Sequence, residues 1–217
     1  MHLKRNKMPR KWPLTRKGTK YIVVPSHNKR KGVPLLIVLR DMLKIAKNRK
    51  EAKQILNLGS IVVNGKVMRS EKNPLLFFDT LSLKGDKCYR LTYSDFKKFK
   101  LEEISKEELD SKILKVVGKK ILKGKTTQLS LNDGRTILTN EDIKTGNSVL
   151  VELKSNKIIK KIELSNKAKV IVIGGKHLGK KGTVEKIEEG KNMAEVIFKD
   201  KKLNVKLLNL MAIENGK

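Results

Sequence analysis

The part of the sequence with the clearest chemical potential is a glycine- and lysine-rich loop that runs from Gly174 to Val184. A phosphate-binding P-loop has the pattern G-x-x-x-x-G-K followed by Ser or Thr, whose hydroxyl holds magnesium. Gly174, Gly179 and Lys180 satisfy the first part of this pattern, but Lys181 stands where the hydroxyl is required. The residues that follow predict a strand, whereas a P-loop needs the N-terminus of a helix. A nucleotide-hydrolysing site is therefore excluded.

The same loop is expected to present cations on a tight turn. Its candidate RNA contacts are Lys176, His177, Lys180 and Lys181. His177 is expected either to touch a base or phosphate or to lie in solvent, and a plain basic turn in a small barrel is the alternative for the whole loop. Gly182→Val is expected to distort the turn if Gly182 requires a positive φ.

Metal and redox chemistry have little support in the sequence. Cys88 is the only cysteine, which excludes an internal disulfide and a zinc finger. Its strand-like surroundings predict a buried, apolar role. The histidines (His2, His27 and His177) are far apart in sequence. We therefore expect no metal site, no cofactor and no catalytic residue.

The overall charge points to a polyanionic partner. Lys and Arg number 51 against 22 Asp and Glu, which gives a net charge of +29, whereas a magnitude of roughly 2–8 is usual for a small soluble domain. Nucleic acid and anionic membrane are the two candidates. The sequence contains no apolar run of about 18 residues, no signal-peptide-like stretch near its start and no glycine at position 2. We expect a cytoplasmic protein bound to nucleic acid and not to membrane.

The first 32 residues contain many cations and no acid. Prolines and glycines interrupt regular structure, apart from a short strand predicted at Tyr21–Val24. This segment is expected to be poorly ordered alone and to thread between RNA helices, with Trp12 and Tyr21 suited to base stacking. A solvated tail is the alternative. Its candidate RNA contacts are Lys4, Arg5, Lys7, Arg10, Lys11, Trp12, Arg16, Lys17, Lys29, Arg30 and Lys31.

Two helices and a hairpin are predicted next. Apolar residues at helical spacing from Leu36 to Ala46 predict a helix that begins after Pro34, and a second helix spans Arg49–Leu58 with Gly59 as its stop. Asn64-Gly65 between β-branched residues predicts a hairpin. The helices carry few acids, so their cations are candidate phosphate contacts against the alternative of an ordinary solvated face. These cations are Arg40, Lys44, Lys47, Arg49, Lys50 and Lys53.

The remaining sequence predicts mostly β-structure. Ser105 and Glu108 form a capping box that predicts a short acidic helix over Lys106–Lys112. Alternating apolar residues and turn signals, including one at Lys199-Asp200, then predict two small β-domains. The expected fold class is α+β and multi-domain, with a two-helix plus hairpin domain followed by two barrel-like β-domains. The expected boundaries are a basic extension at 1–33 and domains at 34–100, 101–165 and 166–217.

Two of these segments resemble known RNA-binding motifs. The segments Arg49–Leu56 and Gly59–Lys66 together resemble the core of the S-four RNA-binding domain, which also occurs in RNA-modifying enzymes and tRNA synthetases. The Gly174–Val184 loop resembles the KOW motif of ribosomal and transcription-elongation proteins.

The order of the motifs is more specific than any one of them. His2–Arg5, Pro9–Trp12, Pro34–Arg40, the S-four-like hairpin, Asn132–Arg135 and the KOW loop occur in one series. This series is similar to the archaeal/eukaryotic-type small-subunit ribosomal protein number four of the "e" series, over nearly the whole chain. Matching positions in the S-four core are Arg49, Lys50, Lys53, Asn64 and Lys66, and the resemblance implies that these contact RNA. Those in the KOW core are Gly175, Gly179, Gly182 and Val184. The stretch Pro13–Arg16 departs from the family pattern.

The resemblance implies a structural, non-enzymatic role. A member of this family is expected to bind small-subunit rRNA, to contact neighbouring small-subunit proteins, to reside in the cytoplasmic ribosome and not to form a homo-oligomer. Two alternatives remain at this point. An RNA-modifying enzyme would need a catalytic acid such as Asp133 or Asp142, although Asp133-Gly134 also predicts a turn. A free elongation factor would use the KOW module on a polymerase.

Overall fold

A computed structural model describes residues 2–83, 87–122, 126–198 and 201–213 of the protein. The chain divides into two compact units, residues 1–110 and 111–217. Across these described ranges the units consist mainly of antiparallel β-sheet, with two short helices in the first unit besides a few 3₁₀ turns. The fold is therefore mostly β, with less helix than the sequence predicts.

The N-terminal segment is folded onto the first unit. Strand β1 (Leu3–Lys4) pairs antiparallel with β2 (Tyr21–Ile22). Trp12 is 1% exposed, and its indole N–H donates to the carbonyl oxygen of Gly32 at 2.9 Å. Burial of a large ring whose polar atom has a partner stabilises the chain around it. In the folded chain this contact ties the segment to the rest of the unit.

The first helix is shorter than the apolar spacing predicts. Helix α1 (Leu35–Ile37) continues into one π-helical turn (Val38–Met42) and ends there. Lys44 has a φ of +56°, in the left-handed region where a right-handed helix cannot continue. Ala46 is buried in the loop that follows. The apolar character of Ala46 reflects burial in this loop and not a position on a helix. The predicted extension of the helix to Ala46 is therefore wrong.

The second helix follows the prediction closely. Helix α2 spans Arg49–Asn57. The Asn48 side chain accepts the backbone N–H of Glu51 at 2.9 Å and caps the helix at its start. Gly59 follows the helix with a φ of +65° and terminates it.

Two sheets complete the first unit. Its remaining strands are β3 (Val33–Pro34), β4 (Ile61–Val63), β5 (Lys66–Val67), β6 (Pro74–Leu75), β7 (Thr80–Leu83), β8 (Cys88–Tyr93) and β9 (Phe99–Glu103). β3 pairs with β6, and the others form a sheet in the order β5-β4-β7-β8-β9. The predicted hairpin is confirmed, with Asn64 at φ +50° and Gly65 at φ +76°. Cys88 is buried, as expected.

The predicted acidic helix over 106–112 is wrong. The chain forms a short 3₁₀ helix (Glu107–Asp110), and Lys112 already lies in the next strand. The Glu108 carboxylate pairs with Arg90 at 2.8 Å. A capping box requires the Glu108 carboxylate to accept the backbone N–H at the start of the helix. Because the carboxylate pairs with Arg90 instead, it stabilises the tertiary structure and not a helix.

The second unit begins with a five-stranded sheet. Its strands are β10 (Ser111–Ile121), β11 (Thr127–Leu131), β12 (Thr136–Thr139), β13 (Ser148–Glu152) and β14 (Ile158–Ile162), in the order β12-β11-β10-β13-β14. The predicted alternation is confirmed, because Leu129, Leu131, Val149 and Val151 are all buried in one core. The Asp133-Gly134 turn joins β11 and β12 as predicted.

A second five-stranded sheet completes this unit. Its strands are β15 (Lys169–Val172), β16 (Lys181–Glu188), β17 (Met193–Phe198), β18 (Lys201–Lys206) and β19 (Leu210–Ala212), in the order β18-β17-β16-β15-β19. Its core contains Val170, Val172, Val184, Val196 and Leu210. The predicted turn at Lys199-Asp200 lies outside the described residues.

Candidate nucleic-acid interface

A cleft of about 340 Å³ opens in the first unit where the N-terminal segment meets the two helices. The residues that line it are Arg5, Leu14, Thr19, Tyr21, Ile22, Val23, Leu36, Ile37, Arg40 and Arg49. Its three arginines come from three separate stretches of chain. Folding therefore gathers cations that the sequence distributes between the N-terminal segment and the two helices.

Arg5 is held in the cleft by the chain around it. Its Nε donates to the carbonyl oxygen of Thr19 at 2.8 Å, and its Nη1 donates to the carbonyl oxygen of Thr15 at 2.9 Å. Its Nη2 donates to the Thr19 hydroxyl at 2.8 Å. All of these acceptors are neutral, so the bonds orient the guanidinium without cancelling its charge.

The other two arginines are oriented by carboxylates. Arg40 pairs with Asp41 at 2.9 Å, and Arg49 pairs with Glu71 at 2.6 Å. Burial of Glu71 opposes ionisation, but the hydrogen bond and charge of Arg49, with help from Lys53, hold the pKa of Glu71 below its usual value. Both pairs fix the direction of a guanidinium that borders the cleft.

The start of helix α2 carries cations where a helix favours anions. Arg49 and Lys50 lie in its first turn, and Lys53 follows one turn later on the exposed surface. The positive end of the helix dipole opposes cations there. Glu51 supplies the acid of this turn. Cations at such a position lower helix stability but favour a nearby anion.

Most of the predicted RNA contacts are exposed at their side chains. In the first unit these are Lys4, Lys7, Arg10, Arg16, Lys17, Lys29, Arg30, Lys31, Lys44, Lys47, Arg49, Lys50, Lys53 and Lys66. Arg5 and Arg40 are partly buried along the cleft. The surface of this unit is thus available to polyanions over a wide area.

Three other predicted contacts are used by the fold. Trp12 cannot stack on a base because its ring is buried, so that prediction is wrong. The Asn64 side chain donates to Asp79 at 2.8 Å and accepts the backbone N–H of Thr80 at 3.0 Å. Lys11 is partly buried, and burial together with the charge of Lys31 lowers the pKa of Lys11.

The glycine-rich loop of the second unit is a tight, hydrogen-bonded turn. The Gly179 N–H donates to the Val172 carbonyl at 2.8 Å, and the Val172 N–H donates to the Lys180 carbonyl at 3.0 Å. Gly175 and Gly179 have φ values of +82° and +86°, which suit glycine. Lys176, Lys180 and Lys181 are exposed, whereas the partly buried His177 ring stacks towards Phe198 with centroids 6.2 Å apart.

Gly182 is required for a different reason from the one expected. It lies in β16, and its φ is outside the left-handed range. A Cβ added there would stand 2.5 Å from the Ile197 carbonyl oxygen and 2.9 Å from side-chain atoms of Val196 and Phe198. Close packing of β16 on β17 excludes a side chain, so the explanation by positive φ is wrong.

Two aromatic residues of the first unit, Tyr21 and Phe96, are exposed. Tyr21, which the sequence places among the cations, is 49% exposed at the cleft. Phe96 is 86% exposed in the turn between β8 and β9 and is absent from the predicted contacts. An aromatic residue beside Lys97 and Lys98 in a polar turn is the sequence signal that identifies it.

Metal-ligating clusters and membrane-spanning helices are both absent from the described parts of the chain. No group of three or more His, Cys, Asp or Glu residues there is arranged to hold a metal ion. Within the same residues, no helix is long and apolar enough to cross a bilayer.

Comparisons with known proteins agree on one family. The sequence model of ribosomal family S4e matches residues 85–158, and that of the KOW motif matches residues 167–199. The chain is 38% identical to small ribosomal subunit protein eS4 of Methanocella arvoryzae, over 86% of this chain and 81% of the relative. It is 36% identical to eS4 of Methanothermobacter thermautotrophicus, over 86% of this chain and 78% of that one.

A solved structure supports the same assignment. The crystal structure of the 30S ribosomal protein S4e from Thermoplasma acidophilum matches with a TM-score of 0.74 and 32% sequence identity. The match covers 87% of this chain and 97% of that one. The relationship therefore extends over most of both proteins and is not confined to a shared module.

Proposed function

Because the chain belongs to the S4e family of small ribosomal subunit proteins, we propose that it binds small-subunit rRNA as a structural part of that subunit. The family is structural and not enzymatic. Asp133, one of the two acids considered for catalysis, is taken up by ion pairs with Lys112 at 3.3 Å and Arg135 at 3.2 Å. The other, Asp142, pairs with Lys119. The proposed setting is the cytoplasmic ribosome, where neighbouring small-subunit proteins are further partners and a homo-oligomer is not required.

The observation that carries this proposal is the meeting of three arginines in one cleft, surrounded by exposed lysines. Arginine presents a planar set of donors that matches phosphate, whereas lysine acts as a mobile point charge. An RNA backbone laid across this surface releases its condensed counterions, which favours binding. The cations contact backbone groups, so recognition rests on RNA shape more than on base sequence.

The glycine-rich loop is a second proposed contact. Its three lysines project from a turn whose backbone is fixed by the hydrogen bonds of Val172. Because each unit carries its own cationic surface, one chain can bind two stretches of rRNA. That arrangement suits a protein that holds converging RNA helices in one packing.

Charge reversal at helix α2 tests the proposal. We expect Lys50→Glu/Lys53→Glu to weaken binding to small-subunit rRNA. The slope of log K against log salt concentration should become shallower by roughly 1.5, because each lost phosphate contact contributes about 0.7–0.9. The free protein should lose little thermal stability, because the acid introduced at position 50 in the first helical turn favours the helix and offsets the loss of the Lys53 charge near Glu71. The control Lys144→Glu/Lys157→Glu makes the same change in charge at exposed positions outside the proposed surfaces. Equal losses in both variants would reject a specific role for α2.

Sedimentation tests the assignment to the subunit. A lysate is separated on a sucrose gradient before and after a high-salt wash, and the chain is followed by mass spectrometry. A structural component should travel one-to-one with the small subunit and resist the wash. A substoichiometric amount that moves to the free fraction would identify an exchanging factor instead.

A further inference from the structure

The cleft in the first unit differs in kind from the basic surface around it. A phosphate backbone needs only exposed cations, as the lysines of helix α2 provide. The cleft is concave, and beside its three arginines it has apolar walls that include Leu14, Ile22 and Leu36. Its volume of about 340 Å³ lies in the size range of small-ligand pockets, roughly 300–1,000 Å³. A cavity with both characters suits a ligand that has an anionic part and a flat apolar part.

We infer that this cleft binds a single nucleotide of the rRNA that is unstacked from its neighbours, with its base against Tyr21 and its phosphate at the arginines. The inference rests on the proposed rRNA-binding function and specifies one of its contacts. Sequence-specific RNA recognition commonly uses bases that are splayed out and stacked on aromatic side chains. The cleft would thus recognise an unstacked base, whereas an open cationic surface recognises only the arrangement of the phosphates.

The arginines have donors to spare for a phosphate. A guanidinium carries five N–H groups. The three bonds from Arg5 to Thr15 and Thr19 use one hydrogen each, which leaves two. Arg40 and Arg49 use Nε and Nη2 on Asp41 and Glu71, so Nη1 takes no part in those bonds. Each group is oriented before the ligand arrives, which lowers the entropic cost of binding.

Tyr21 provides the surface for the base. The residue is 49% exposed and lies on β2 at the wall of the cleft. The His2 ring meets it edge-on with centroids 5.2 Å apart, which restricts its orientation. The Lys20 ammonium lies over the ring, 5.6 Å from its centroid. Lys20 is exposed, so a stacking base can displace its side chain from that face. An acidic peptide would pair with the arginines equally well, but it would not use the aromatic surface.

The test measures preference for bases at constant phosphate number. Full-length protein is titrated, at one salt concentration, with a uridine decamer and with a decamer of the same backbone in which every base is replaced by hydrogen. We expect the native chain to prefer the decamer with bases by on the order of tenfold. Tyr21→Leu should remove the preference, whereas Tyr21→Phe, which keeps the ring, should retain it. Phe96→Leu is the matched control, since it removes an exposed aromatic outside the cleft, and should leave the preference unchanged.

Other outcomes would overturn this inference or reject the proposed function, and the two cases can be told apart. A native chain without base preference, or one whose preference is lost with Phe96→Leu and kept with Tyr21→Leu, would overturn the inference while leaving rRNA binding intact. Displacement of both decamers by a hexaglutamate peptide at comparable concentrations, with no effect of Tyr21→Leu, would assign the cleft to an acidic protein segment. Failure of the native chain to bind small-subunit rRNA at all would instead reject the proposed function.

Discussion

The guanidinium of Arg49 donates to the carboxylate of Glu71 at 2.6 Å, across 22 residues of sequence. The Arg49 side chain is 54% exposed, whereas that of Glu71 is 8% exposed. Arg49 thus supports the fold with one edge of its guanidinium and borders the cleft with the rest. A charge reversal at Arg49 therefore disturbs the fold together with any RNA contact, and Lys50 and Lys53 are the better positions at which to test binding.

The first prediction concerns this ion pair. Arg49→Gln should lower the free energy of unfolding by about 1–3 kcal/mol, because it leaves a buried carboxylate without its partner. Arg49→Gln/Glu71→Gln should be less destabilised than the single variant, since a neutral amide is easier to bury than an unpaired charge. Denaturant unfolding of the free protein measures both changes. A double variant that is less stable than Arg49→Gln would contradict this account.

The same pair predicts a pH dependence. The pKa of Glu71 is lower in the folded chain than the ordinary value of 4.5. The folded state therefore binds this proton less tightly than the unfolded state, and the stabilisation is complete above that ordinary value. It is lost as the pH falls through the folded pKa. The stability difference between the native chain and Glu71→Gln, measured by urea unfolding at several acidic pH values, should shrink in that range.

The second prediction concerns a buried lysine in the second unit. The Lys115 ammonium donates to the carbonyl oxygens of Leu207, Leu208 and Leu210 at 2.7, 2.9 and 2.6 Å, and so ties β10 to the chain that enters β19. Lys115→Met should lower the free energy of unfolding by about 3 kcal/mol, because buried carbonyls lose their donors. Lys119→Met, at the exposed end of the same strand, should change it by about 0.5 kcal/mol or less. Similar losses in both variants would show that these bonds contribute little.

Lys115 also predicts a change with pH on the alkaline side. Burial lowers the pKa of Lys115 to about 8 from its ordinary value of 10.5. Between these values the unfolded chain binds the proton more tightly than the folded chain, so this group adds stability as the pH rises. The native chain should therefore gain stability relative to Lys115→Met from about pH 8 to about pH 10. A constant difference across that range would contradict the lowered pKa.

The third prediction concerns Gly182. Gly182→Ala should lower the melting temperature strongly, because its Cβ would come within 2.5 Å of the Ile197 carbonyl oxygen and force β16 away from β17. Gly190→Ala is the matched control, since a Cβ at Gly190 meets nothing within 4 Å. Thermal unfolding followed by circular dichroism compares the two. Equal melting temperatures would show that the strands can separate at little cost.

The fourth prediction uses Trp12, which is the single tryptophan of the chain. Its buried ring should give blue-shifted fluorescence that acrylamide quenches slowly, and added rRNA should leave this quenching unchanged. Trp12→Phe should lower the free energy of unfolding by about 1–3 kcal/mol, because the Gly32 carbonyl loses its donor. Strong quenching of the Trp12 fluorescence by RNA would show that the Trp12 ring stacks on a base.

Local features of the fold are predictable from the sequence where neighbouring residues decide the backbone. Asn64-Gly65 encodes a turn through φ values that these two residue types adopt readily. Helix α2 follows from its Asn48 cap and the stop at Gly59. The early end of the first helix is not predictable in this way, because Ala46 has the apolar character of a helical position but is buried in a loop.

The candidate site also has features that the sequence predicts and features that depend on the tertiary structure. Composition and motif order identified a cationic RNA-binding protein of the S4e family, since charge and short motifs are properties of the chain alone. The roles of individual residues depended on which distant segments meet. Arg5 and Arg49 share a cleft, and the buried Trp12 ring donates to the Gly32 carbonyl oxygen. Apolar burial and satisfaction of polar groups select this one packing of the segments. The spacing of residues in the sequence predicts neither contact, so only the tertiary structure separates the side chains that hold the fold from those that stay exposed.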